Sequence, residues 1–69
     1  METVVLRVDG MSCGHCVKAV SGAVNSLPGI GSVSVDLATG TATVEHDPAL
    51  SPLDVIRERI EEQGYEVLN

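Results

Sequence analysis

Apolar and polar residues alternate from Thr3 to Asp9, with Val4, Leu6 and Val8 on one side and Thr3, Val5, Arg7 and Asp9 on the other. That period of two is the signature of a half-buried strand, and Gly10 ends it. Val17, Val20, Val24 and Leu27 then recur at helical spacing until Pro28-Gly29 breaks the pattern, which predicts a first helix. Alternation returns with Val33, Val35 and Leu37 against Ser32, Ser34 and Asp36. After a turn at Ala38-Thr39-Gly40, Ala42 and Val44 alternate with Thr41, Thr43 and Glu45, which completes a hairpin. Ser51-Pro52-Leu53-Asp54 reads as a helix start: an N-cap serine, a proline at the first helical position and an acid three residues after the cap. Leu53, Ile56 and Ile60 supply the buried stripe of this second helix, Gly64 its left-handed stop, and residues 65–68 a short terminal strand. His46, beside Asp47-Pro48, reads as part of a turn and is assigned no role.

The order strand, helix, strand, strand, helix, strand predicts an α+β, ferredoxin-like βαββαβ sandwich, with two helices on one face of a four-stranded antiparallel sheet and the other face in water. Its two halves share no residue pattern, so any symmetry is structural rather than a sequence repeat.

Length and composition narrow the reading. With 69 residues, the chain is expected to form one domain over residues 1–69 around one thin core. A core this small rarely yields more than about 3–5 kcal/mol without a metal, a disulfide or a partner. There is no Trp, no Phe and one Tyr, so Val, Ile, Leu and Ala must fill the interior, and nothing is set up to stack bases. Four Lys and Arg against ten Asp and Glu give a formal charge of -6, which repels phosphate backbones and anionic membranes. Neither nucleic acid nor a membrane is expected as a partner; a positively charged protein surface is. No apolar run approaches the roughly 18 residues of a membrane span, and Arg7 and Asp9 interrupt the N-terminal one, so a cytoplasmic chain, complete as it stands, is expected.

The two cysteines bring the chemistry. Gly10-Met11-Ser12-Cys13-Gly14-His15-Cys16 joins the first strand to the first helix, which places Cys13 in the loop and Cys16 in the opening helical turn. A three-position spacing closes too short a loop to restrain the unfolded chain, so a metal or redox pair is expected rather than a structural disulfide. Backbone N–H groups and the positive end of the helix dipole stabilise thiolates at such a place. Two thiolates with few other donors suit a soft ion that accepts low coordination, and copper(I) fits better than structural zinc, which normally takes four ligands. A thioredoxin-like redox protein would need a longer chain, with helices on both faces of its sheet.

The pattern Gly10-Met11-x-Cys13-x-x-Cys16, at the end of a first strand in a domain of this size and order, resembles the heavy-metal-associated domain family, and within it the bacterial copper chaperones of the CopZ type. The likeness extends over the whole chain, and the Gly14-His15 insert and Tyr65 add to it. It implies that Cys13 and Cys16 are the copper(I) ligands and that Met11 packs beneath the loop, although its soft thioether makes it a conceivable third ligand. It also implies that His15 points to solvent between the ligands, where an exposed histidine either tunes the thiolates, binds an extra ion or has no part in the site, and that Tyr65 lies beside the metal loop, where it either shields the site from water or packs at a strand edge. The acidic run Glu58, Glu61, Glu62 reads as a solvated helix face.

By that resemblance the expected function is that of a copper(I) chaperone, not an enzyme, which delivers its ion to the metal-binding domains of a copper-transporting P-type ATPase or to a copper-responsive repressor. A thiol-disulfide oxidoreductase, a module of a larger transporter, and a site for zinc, silver or mercury are the alternatives. Without metal a monomer is expected, and at high copper loading a copper-bridged dimer.

Overall fold

The computed structural model describes residues 1–11 and 14–68; Ser12, Cys13 and Asn69 lie outside the described residues. Six elements follow in order: β1 (Glu2–Asp9), α1 (Gly14–Asn25), β2 (Ile30–Asp36), β3 (Thr41–His46), α2 (Leu53–Glu61) and β4 (Glu66–Val67). The strands form one antiparallel sheet in the order β2-β3-β1-β4. This is the ferredoxin-like arrangement that the element order predicts.

Register explains why one face closes. Val4 stands opposite Val44 and Leu6 opposite Ala42, while Val33 and Val35 flank the same two β3 residues from the other side. The inward side chains of the sheet therefore line up in rows, and Val20 and Val24 of α1 and Ile56 and Ile60 of α2 cover them in one buried cluster. Fully burying an aliphatic side chain of this size contributes about 1.5–3 kcal/mol. On the opposite face Thr3, Val5 and Arg7 are exposed. Among the described residues no helix is long and apolar enough to cross a membrane.

Five local expectations change. The second strand begins earlier than its alternation suggests, because a bulge between Ile30 and Ser32 lets both residues pair and turns Ile30 toward the core. It also ends earlier: the Asp36 carboxylate accepts the Ala38 N–H at 2.9 Å, which starts the turn and leaves Leu37 40% exposed. Ser51 is not the N-cap of α2. Pro52 occupies that position without a side-chain capping bond, and Ser51 lies fully buried, its hydroxyl donating to the Pro28 carbonyl. Leu53 is 37% exposed, because at this end the buried Ser51 takes the inner position and the apolar stripe of α2 starts at Ile56.

His46 is not a turn residue. It is the last residue of β3, continues the inward series Ala42 and Val44, and is 5% exposed. A buried imidazole needs a partner, and Nδ1 lies 2.7 Å from the Ser51 carbonyl, to which it donates. The Asp47 N–H donates to Gly29 O at 2.8 Å, so the α1–β2 and β3–α2 connections are tied together at this end.

Candidate metal centre

The other end of the sheet carries the cysteine loop. β1 is held there on both sides: Val8 N–H donates to Gly40 O of the β2–β3 turn at 2.8 Å, while Val8 and Asp9 pair with Val67 and Glu66 of β4. The next residue, Gly10, has φ +97°, a conformation that side-chain-bearing residues avoid, and the chain leaves the sheet at this point. Met11 is half-buried and packs against the core cluster, so the start of the loop is anchored inward, as expected of it.

Cys13 lies outside the described residues. α1 opens at Gly14, and Cys16 is its third residue, half-buried in the first turn as its place between the first strand and the first helical stripe predicts. The first turn of α1 contains no acidic residue, so no neighbouring helical carboxylate opposes negative charge on sulfur. The first N–H groups of a helix lack intrahelical acceptors and carry the positive end of its dipole. His15 is exposed, as expected.

Tyr65 comes to the same place from the far end of the sequence. It is half-buried against the core, and a Cβ built on Gly10 would stand 3.5 Å from its Cδ1. The fold thus brings Gly10, Met11, Cys16 and Tyr65 to one end. His46 lies at the other end, opposite Glu2 and Ile30. Asp9 and Glu66, directly opposite each other, add negative charge beside the loop. Sequence reading missed the clamp on the strand end by Gly40 and Val67; the only signal for it was the β-prone terminal segment. Among the described residues no group of three or more His, Cys, Asp and Glu side chains is arranged to hold a metal ion.

A ferredoxin-like sandwich with a cysteine in the opening turn of its first helix defines a small α+β domain whose thiol chemistry sits at one loop-bearing end. The heavy-metal-associated domain model matches residues 5–66. The copper chaperone CopZ of Staphylococcus aureus is 40% identical over 68 residues, which cover 99% of this chain and 100% of that protein. A solved CopZ metallochaperone superposes with a TM-score of 0.94 at 39% identity, covering 97% of this chain and 100% of the other. Copper-transporting ATPase 1 of Rattus norvegicus is 36% identical over 67 residues, 97% of this chain but 4% of that protein. The chain belongs to the heavy-metal-associated domain family.

Proposed function

We propose that this chain, acting as one heavy-metal-associated domain over residues 1–69, binds copper(I) between the thiolates of Cys13 and Cys16 and passes it to a partner protein by ligand exchange. The observation that carries this reading is the position of Cys16, half-buried in the first turn of α1 at the end of the sheet where Met11 and Tyr65 also lie. Likeness to the copper chaperone CopZ over its full length supports the choice of cargo.

The chemistry follows from the donors. A helix N-terminus favours thiolate over thiol, and thiolate sulfur favours a soft ion. With two protein ligands the ion keeps room for a third. An incoming partner thiolate adds to copper, one of the two cysteine sulfurs leaves, and a second exchange completes transfer, with copper remaining in the +1 state throughout. Met11 holds the loop root in the core, the Tyr65 ring limits water beside it, and His15 tunes the thiolates from the solvent side.

The recipients are the metal-binding domains of a copper-transporting P-type ATPase and, second, a copper-responsive repressor, both met in the cytoplasm, where thiols stay reduced. Likeness to Copper-transporting ATPase 1 supports the first, since a domain of the same kind there would meet this one loop to loop. The net charge of -6 steers the chain toward basic surfaces.

Anaerobic titration with copper(I) against a chromogenic chelator, with zinc in parallel, tests the proposal. One equivalent held tightly, lost in the Cys13→Ser/Cys16→Ser double variant, is the expected result. Retention of full affinity by that variant would place the site elsewhere, and equal affinity for zinc would remove copper as the cargo.

A further inference from the structure

The C-terminal segment, residues 64–68, makes three separate connections to the rest of the fold through Tyr65, Val67 and Leu68. Gly64, at φ +92° with its N–H donating to Glu61 O at 3.0 Å, closes α2 and starts this segment. Tyr65 lies against Gly10, the first residue of the cysteine loop. Val67 is 6% exposed and belongs to the core cluster. Leu68 N–H donates to Arg7 O at 2.8 Å, although its side chain is 54% exposed.

β4 is two residues long, and its register partners are Val8 and Asp9, the last two residues of β1 before Gly10. By contrast, β3 pairs with β1 from Glu2 to Arg7. The β1–β4 ladder has two register pairs and the β1–β3 ladder six, and a segment with fewer ladder hydrogen bonds to lose opens locally at lower cost. The residues that this short ladder holds, Val8 and Asp9, lead directly into Gly10.

We propose that residues 65–68 form a C-terminal strap whose docking on the end of β1 is coupled to metal occupancy of the cysteine loop. This rests on the copper(I) site proposed above. Docked, the strap fixes Val8 and Asp9 and seats Tyr65 on Gly10, so the root of the loop is held and the ion retained. Undocked, the loop root is freed and the ion is easier to surrender. Linkage is reciprocal: if docking raises copper affinity, copper must by the same factor favour docking.

Two variants loosen the strap without touching a cysteine. Val67→Ala removes its core anchor, and Leu68→Pro deletes the N–H that donates to Arg7 O at a position whose side chain is exposed, while also fixing the local φ. Val44→Ala, a similar truncation at a fully buried site on β3, is the control for general destabilisation. Copper(I) affinity by chelator competition and hydrogen exchange of the Leu68 amide in the apo and loaded protein are the readouts. The expected result is a loss of affinity of roughly fivefold or more in both strap variants, with the control near wild type, and slower Leu68 exchange on loading by a similar factor. Strap variants that match the control, or Leu68 exchange unchanged by loading, would overturn the strap while leaving the copper site standing. A wild-type chain that binds no copper would overturn both.

Discussion

Asp9 and Glu66 stand directly opposite each other across β1 and β4, two carboxylates in one antiparallel pair beside the cysteine loop. Like charges so placed oppose strand pairing. Replacing Glu66 with Lys turns the pair attractive and should raise stability by about 0.2–1 kcal/mol. Urea denaturation at low and high salt checks this; the gain should shrink as salt screens it, and a loss of stability would count against the pairing.

At Gly10 the constraint is conformational rather than steric. Its φ of +97° is unfavourable for alanine, whereas a Cβ there would meet Tyr65 at 3.5 Å, an ordinary contact distance. Gly10→Ala should therefore cost roughly 1–3 kcal/mol without displacing the ring. A thermal melt with tyrosine fluorescence as a second probe separates the two: a lower Tm with unchanged native fluorescence is expected.

Ser51 ties the pole remote from Cys16. Ser51→Ala leaves the Pro28 carbonyl without its hydroxyl donor and should destabilise by about 1–3 kcal/mol. Copper affinity should stay at its wild-type value, because the variant acts at the far end of the sheet. A large loss of affinity at full occupancy of the folded state would contradict this separation.

Gly22 sits in the interior of α1, exposed, with nothing within 4 Å of a Cβ built on it and no positive φ. The fold makes no demand for glycine there, so Gly22→Ala should stabilise by about 0.4–1 kcal/mol, mainly by restricting the unfolded chain. An unchanged or lower denaturation midpoint would show a constraint on this face of α1.

Much of this fold is local and so legible from the chain alone. Alternation in β1 and β3, the spacing of Val20 and Val24, and the positive-φ glycine at position 64 all act within a few residues. Their order leaves few topologies, and the place of residues 10–16 between the first strand and the first helical stripe puts Cys16 in the first turn of α1. What tertiary structure decided were pairings between residues remote in sequence. Ser51 looks like a helix cap until the fold offers it the Pro28 carbonyl, and His46 looks like a turn until the rows of β3 carry it inside. Tyr65 meets Gly10, and Val67 meets Val8, because the sheet order sets β4 against β1. A periodic pattern reports which side of an element is apolar, since that depends on backbone geometry within the element. Which partner meets a hydroxyl, an imidazole or a strand end depends on the assembled layers, and no short-range pattern encodes it.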